Sequence, residues 1–261
     1  MLIQLQNKSA LVGGSTQGIG KAIAMQLAEC GATVTVMARN EDKLKSVRDE
    51  LSTAYGQKHK YLVADFSDFE GFREIIAAYF KTNTVDILVN NTNGPAAGAI
   101  LEKKVADYQE AFNLLFKTVC CTTLEALKGM QEKSFGRIIN VSSISVKEPL
   151  MHLALSNTIR TSLLSWSKTL ATEVAHNNIT VNTILTGYFD TERLNSLMHF
   201  QAENSKMEFA DFRKITTEKV PMKRLGKPEE YAFLVAFLAS DFAAYITGTN
   251  IPIDGGLLKS V

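Results

Sequence analysis

The sequence predicts an α/β fold: a parallel sheet of about seven strands, doubly wound with helices on both faces. Three observations carry this. Short β-branched or apolar runs alternate with stretches of helical period along the chain. The runs are nearly continuous in apolar residues, as strands buried on both faces are. No Pro-, Gly- or Ser-rich linker, internal repeat or low-complexity tract divides the 261 residues, so a single domain over residues 1–261 is expected.

The expected strands are Ala10–Gly13, Thr33–Met37, Tyr61–Ala64, Ile87–Asn90, Arg137–Val141, Ile179–Leu185 and Thr249–Asp254. Between them, helices are expected over Ile19–Cys30, Glu41–Tyr55, Phe69–Lys81, Val105–Lys133, Leu153–His176 and Pro228–Ser240. Residues 188–220 interrupt the alternation with a helical pattern carrying Leu194, Leu197, Met198, Phe200, Met207, Phe209 and Phe212. They follow a strand end, where such sheets bind ligands, and so read as a lid over a crevice.

Composition narrows the function. With 28 Lys and Arg against 27 Asp and Glu, the net charge is +1, which argues against an electrostatic nucleic-acid binder. No run approaches the ~20 apolar residues of a membrane span. Cys30, Cys120 and Cys121 show neither a disulfide framework nor metal-ligand spacing, so they read as reduced cysteines in helices, and no metal site is expected. Met1 to Lys8 lack the charged-then-apolar order of a secretory signal, making the cytoplasm the expected location. What remains is an enzyme or a small-ligand binder.

The first strand runs into Gly13-Gly14-Ser15-Thr16-Gln17-Gly18-Ile19-Gly20 and then an apolar helix. Glycines there permit a tight turn and close backbone approach to a pyrophosphate at a positive helix N-terminus. Gly14, Ser15, Thr16, Gln17, Gly18, Ile19 and Gly20 are thus expected to cradle a dinucleotide. At the end of the second strand Ala38 offers no carboxylate for a ribose 2′-hydroxyl, whereas Arg39 offers a fork suited to a 2′-phosphate. NADP is therefore expected rather than NAD. Asp65, closing the third strand, is placed to hydrogen-bond the adenine.

The sequence resembles the short-chain dehydrogenase/reductase family over essentially its whole length. Gly14, Gly18, Ile19 and Gly20 match the family's glycine motif, and Asn90-Asn91 its Asn-Asn pair. Pro221-Met222-Lys223-Arg224-Leu225-Gly226-Lys227-Pro228-Glu229-Glu230, Ile246-Thr247-Gly248 and Asp254-Gly255-Gly256 resemble the C-terminal motifs of its 3-oxoacyl-acyl-carrier-protein reductase branch. The resemblance implies hydride transfer between a nicotinamide and a carbonyl or secondary alcohol by an Asn-Ser-Tyr-Lys set. It assigns the asparagine to Asn113 and the serine to Ser143, and puts Asn91, Gly187 and Thr191 at the cofactor, Thr191 on the carboxamide. It also implies pairing of helices 105–133 and 153–176 into a homodimer or homotetramer. Phe112, Leu115, Val119, Leu163, Leu164 and Trp166 suit that interface, or the sheet.

Where the resemblance places the tyrosine stands Ser156, and four residues on, in place of the lysine, stands Arg160. Trp166-Ser167-Lys168-Thr169-Leu170-Ala171 fixes this alignment without a gap. A serine hydroxyl is far less acidic than a phenol of pKa about 10, and arginine stays protonated and cannot enter a proton relay. Arg160 can still bind ribose hydroxyls or stabilise negative charge on oxygen. Two replacement proton donors suggest themselves: His152, on a His152–Ser156–Arg160 line if the helix extends back, and Tyr188, beyond Thr186-Gly187. Milder departures are Gly13 for threonine, Thr92-Asn93-Gly94 for Ala-Gly, and Thr186 for proline. Three functions compete on this reading: an NADP-dependent oxidoreductase with an atypical site, a nucleotide-binding protein that has lost catalysis, and a structural subunit without nucleotide.

Overall fold

The computed structural model describes residues 2–260. The strands are β1 (Ser9–Gly13), β2 (Thr33–Ala38), β3 (Lys60–Val63), β4 (Ile87–Asn90), β5 (Gly136–Val141), β6 (Ile179–Thr186) and β7 (Asn250–Ile253). They form one parallel sheet in the order β3-β2-β1-β4-β5-β6-β7. The helices are α1 (Gly18–Glu29), α2 (Glu41–Glu50), α3 (Phe69–Phe80), α4 (Val105–Phe112), α5 (Thr118–Lys133), α6 (Ala154–Val174), α7 (Glu192–Asn204), α8 (Phe209–Lys219) and α9 (Pro228–Ala239).

Strand alternation sorts the core into two layers. Ala10, Val12, Ile87 and Val89 face one side with Ile23, Leu27, Leu44 and Val235 of α1, α2 and α9. Leu11 and Leu88 face the other with Phe72, Ile76, Met130 and Leu170 of α3, α5 and α6. This is the two-residue period of a strand buried on both faces. The chain winds outward from β1 to β3, then returns to place β4 on the other side of β1, Val89 beside Val12. Helices leave these adjacent strands toward opposite faces, so a crevice opens at their carboxyl ends.

Three helices differ from expectation. The 41–55 helix stops at Glu50, because Leu51 turns to extended backbone and buries its side chain. Gln57 then fixes the following turn by donating to the Ala28 carbonyl at 2.8 Å and accepting from the Tyr55 amide at 2.9 Å. The 105–133 helix is divided by a π turn over Asn113–Lys117, in which the Thr118 amide donates to the Asn113 carbonyl five residues back. The 153–176 helix begins at Ala154, preceded by His152 in the left-handed conformation at φ 59°. Residues 188–220 form α7 and α8, packed against each other.

Of the residues expected at a helix-pair interface, Leu115, Val119 and Leu163 are buried within the chain. Phe112 stacks on Phe116 at 4.9 Å, and Phe116 meets Trp166 edge-on at 6.1 Å. The exposed large apolar residues of α4 and α5 are Val105 and Leu124. The three cysteines are unpaired, and burial pushes the Cys120 thiol up to about 12. No described helix is long and apolar enough to cross a membrane.

At the amino ends of the central strands, Asp86 joins β1, β4 and β5. Its Oδ2 accepts from the Ser9 amide and hydroxyl, each at 2.8 Å, and its Oδ1 from Lys133 Nζ at 3.0 Å. Its backbone carbonyl accepts from the Arg137 amide at 2.9 Å. Burial pushes the Asp86 carboxyl up, but the Ser9 bonds and Lys133 outweigh it and hold it below the usual range. A depressed carboxylate stabilises the fold above its unfolded pKa, and that stabilisation is lost as pH falls through the folded value. Asp86→Asn is therefore expected to cost about 1–3 kcal/mol at pH 7. In urea unfolding at successive pH values, the gap from the parent should close below the ordinary aspartate range.

Candidate active site

The crevice floor is the turn between β1 and α1. Gly14 and Gly18 adopt φ of 56° and 55°, conformations open to glycine at no steric cost. Gly20 is required by contact: a Cβ there would lie 2.1 Å from the Gly14 carbonyl oxygen. Asn91, just past β4, donates through Nδ2 to the Gly13 and Gly14 carbonyls at 3.1 and 3.3 Å. Its own carbonyl oxygen fills the space a Cβ at Gly13 would need, at 2.5 Å. Glycine stands here where the family resemblance expects threonine.

From this turn a cleft of about 500 Å³ runs to the ends of β5 and β6. Gly14, Gln17, Gly18, Ile19 and Gly20 line one end, with Asn91 to Gly94 beside them. Ser142, Ser143, Ser156, Arg160, Thr186 and Gly187 line the other, and the first turns of α7 close over it. Ser143 Oγ accepts from the Ser145 amide at 3.1 Å, turning the chain after β5. Ser156 and Arg160 share the cleft-facing side of α6. Arg160 Nη1 donates to the Val141 carbonyl at 2.8 Å. Burial draws its guanidinium down to about 10, with Arg193 adding to the effect and Tyr231 opposing it.

A buried polar chain sets where α6 lies. Asn90 Nδ2 donates to Thr123 Oγ1 at 2.9 Å and to Asn140 Oδ1 at 2.8 Å, and Asn140 Nδ2 donates to Ser167 Oγ at 2.8 Å. Unpaired amides at this depth would each cost about 1–3 kcal/mol, so the register of β4, β5, α5 and α6 is fixed beneath the cleft. Gly187 permits β6 to approach β7, since a Cβ would lie 2.5 Å from Asp254 Cα.

Arg39, Asp65 and Ser67 line a second cleft of about 430 Å³, which shares Asn93 and Gly94 with the first. Arg39 makes no hydrogen bond or ion pair with any described residue, while Asp65 Oδ1 accepts from the Ser67 hydroxyl at 2.6 Å and amide at 2.9 Å. The Ser67 bonds, with Arg39 nearby, hold the Asp65 carboxyl below its usual range.

Several expected site residues lie elsewhere or are already engaged. Ser15 is fully buried and turned to β2, accepting from the Met37 amide at 2.9 Å. Neither it nor Thr16 lines the cleft. Asn113 is also outside the lining, its Oδ1 accepting from Gln109 Nε2 at 3.0 Å, one turn back. Thr191 caps α7, accepting from the Leu194 amide at 3.2 Å, and presents its methyl toward Gly18. His152 precedes the helix, so the His152–Ser156–Arg160 line does not form; its carbonyl accepts from the Gly98 amide at 2.7 Å. Tyr188 lines a separate cavity of about 200 Å³ with Met222, Arg224 and Asp254, and burial raises its phenol. Among the described residues, no cluster of three or more His, Cys, Asp or Glu could hold a metal.

Residues 14–258 match the family model described as Enoyl-(Acyl carrier protein) reductase. The chain belongs to the short-chain dehydrogenase/reductase family. It is 33% identical to 3-oxoacyl-[acyl-carrier-protein] reductase of Aquifex aeolicus, over 98% of this chain and 100% of that protein. It is 32% identical to an NADPH-dependent reductase of Bacillus subtilis, over 98% and 100% respectively. Among solved structures, L-sorbose reductase from Gluconobacter frateurii, complexed with NADPH and L-sorbose, superposes with a TM-score of 0.92 at 30% identity, covering 100% of both chains. The chain is accordingly an oxidoreductase of the short-chain type, and its cleft occupies the crevice that this fold opens at β1 and β4.

Two features of this short-chain member escaped the sequence reading. Arg193 reaches from α7 to the Pro95 carbonyl at 2.8 Å. Tyr231, fully buried on α9, accepts from Thr186 Oγ1 at 3.1 Å behind the cleft. The signal for the first was a cation in the opening turn of a helix, where the macrodipole disfavours it. For the second, it was a phenol inside an apolar helix pattern, since a buried hydroxyl needs a partner.

Substituting Gly20 tests the packing of the floor. Gly20→Ala is expected to destabilise by about 1–3 kcal/mol or more, because the clash is with backbone that cannot swing aside. Asn91→Ala, which frees two carbonyls without adding a clash, should cost less. Chemical denaturation of both variants measures the order.

Proposed function

We propose that the chain is an NADP-dependent oxidoreductase that transfers hydride between the nicotinamide and a carbonyl or secondary alcohol, related in chemistry to 3-oxoacyl thioester reduction. The observation that carries this reading is two clefts that meet at Asn93 and Gly94, one lined by Arg39 and Asp65 and the other by the glycine turn, Ser143, Ser156 and Arg160. A dinucleotide fits the residues present. Gly18, Ile19 and Gly20 at the start of α1 line the cleft, a helix N-terminus suited to a diphosphate, and Arg39 is free for a 2′-phosphate rather than the diol of NAD. When bound, the nicotinamide supplies or accepts the hydride.

The chain's own residues then do the following. Gly14, Gln17, Gly18, Ile19 and Gly20 hold the diphosphate, Asp65 the adenine, and Gly187 and Thr191 border the nicotinamide. Ser143 and Ser156 orient the carbonyl oxygen by hydrogen bonding, with Ser156 standing where the family carries tyrosine. Arg160, in the lysine's place, binds ribose hydroxyls and stabilises negative charge developing on that oxygen. The proton comes from water, because the titratable residues lining the cleft are Glu192, Arg193 and Arg160. Residues 188–220 act as the lid, and the face of α4 to α6 carrying Val105, Phe112, Leu124 and Trp166 joins copies of the chain.

A second reading is favoured by one observation: neither His152 nor Tyr188 faces the cleft. On it, the chain binds NADP as a sensor and turns over little. Restoring the pair decides between them. Ser156→Tyr with Arg160→Lys is expected to raise NADPH-dependent reduction of 3-oxoacyl thioesters, ketones or sugars by on the order of 10²-fold, the lower range of positioned acid–base catalysis. A parent with measurable turnover that Ser143→Ala abolishes is an enzyme. No turnover in the parent across that panel would sink the enzyme reading.

The pH profile is a further test. Burial draws the Arg160 guanidinium down to about 10, so stabilisation of the oxyanion is expected to weaken as pH rises toward that value. Turnover should stay level through neutrality and fall as pH rises through about 10, a fall that Arg160→Met should remove along with most of the rate.

A further inference from the structure

Two contacts bridge the cleft from α7. The methyl of Thr191 lies so close to Gly18 that a Cβ there would be 3.3 Å from it. Two residues on, Arg193 Nη2 donates to the Pro95 carbonyl at 2.8 Å, passing Gly94, where a Cβ would sit 2.7 Å from the same nitrogen. One contact falls on the glycine turn and the other on the segment after β4 beside it, so α7 touches that end of the cleft at two points. α7 is braced in this position by Arg213 of α8, which donates to Asp190 at 3.0 Å and to Asn195.

Arg193 stands exposed at the rim of the cleft without a carboxylate partner. It lies in the first turn of α7, where the helix dipole opposes a cation, and it forms no ion pair with any described residue. Its single hydrogen bond is to Pro95, which leaves most of its five N–H donors free. Arg160 lines the same cleft, also without a carboxylate partner, and Glu192 is the cleft's carboxylate, exposed at the rim. The lining thus carries two guanidinium groups against one carboxylate.

We propose that Arg193 binds the diphosphate of the dinucleotide from the side opposite the glycine turn, and that its bond to Pro95 latches α7 over the nucleotide. The inference rests on the dinucleotide reading given above. A guanidinium fork suits two phosphate oxygens, and the anion supplies the charge that Arg193 lacks. Release of nucleotide then requires the Arg193–Pro95 bond to open.

Calorimetric titration with three ligands tests this: NADPH, 2′-phospho-ADP-ribose, which keeps the diphosphate, and adenosine 2′-monophosphate, which lacks it. Arg193→Met is expected to weaken the first two by on the order of 10- to 100-fold, the worth of a charge-assisted bond pair. Binding of adenosine 2′-monophosphate should not change. The NADPH dissociation rate, followed by nicotinamide fluorescence, should rise by a similar factor, and Arg193→Lys should recover part of the loss. Thermal melts of both variants without ligand check the fold, and a shallower salt dependence of NADPH affinity in Arg193→Met gives an independent readout. Unchanged NADPH affinity and dissociation rate would overturn the proposal, as would equal weakening of all three ligands. If the parent binds none of them, the dinucleotide reading itself fails.

Discussion

The turn after β1 packs tightly on itself and on the end of β4, and the site depends on it. Gly20 against the Gly14 carbonyl, and Gly13 against the Asn91 carbonyl, leave no room for a single carbon. The contact exists because the sheet reverses its winding between these strands, bringing two carboxyl ends together while their helices diverge. Asn91 converts proximity into fixed geometry by pinning two carbonyls of the turn. With that turn fixed, the N-terminus of α1 points into the cleft, and everything bound there must lie along it. The Asn90–Asn140–Ser167 chain extends the same order to α6, so Ser156 and Arg160 are placed by polar groups buried well below them.

Electrostatics in the cleft are one-sided. Hydroxyls of Ser143, Ser156 and Thr186 and the guanidinia of Arg160 and Arg193 dominate the lining, and no phenol, imidazole or thiol is among the lining residues. Such a surface stabilises anions but is a poor source of protons at neutral pH. Losing a positioned acid costs on the order of 10²–10⁴ in rate, or about 3–5 kcal/mol of barrier. A preorganised cation beside a developing oxyanion acts in the same range. The two effects are therefore comparable in size, so a cation can offset in part what a missing acid costs.

Much of the fold was legible in the sequence because burial on both sheet faces writes itself as apolar runs, and crossover helices as amphipathic ones. The glycine turn was legible for a related reason: close backbone approach excludes every side chain. What the sequence hid was direction. Tyr188 is one residue past Gly187, yet its ring enters another cavity. His152 stands four residues before Ser156, but a left-handed residue breaks the helix that would have aligned them. The π turn at Asn113 adds a residue to one helical turn, and periodicity averaged over a long helix does not register it. Arg193 and Tyr231 are defined by partners 98 and 45 positions away, and no local pattern encodes these.

Two residues that depart from the family's pattern, Thr186 and Arg160, are connected through Tyr231. Thr186 donates to Tyr231, and Tyr231 and Arg193 both act electrostatically on Arg160, whose guanidinium is fastened to the Val141 carbonyl. Keeping Arg160 here is costly, since it is half-buried in the cleft with no carboxylate partner to offset its partial desolvation. An apolar side chain of similar length would fill the same space without that penalty. A cleft emptied of function has no use for two such cations. A cleft that must hold a diphosphate and an oxygen gaining negative charge does, because the ligand then supplies the counter-charge the protein lacks. The loss of a phenol and the gain of a guanidinium are thus read together, as a site that has moved from donating a proton to stabilising an anion.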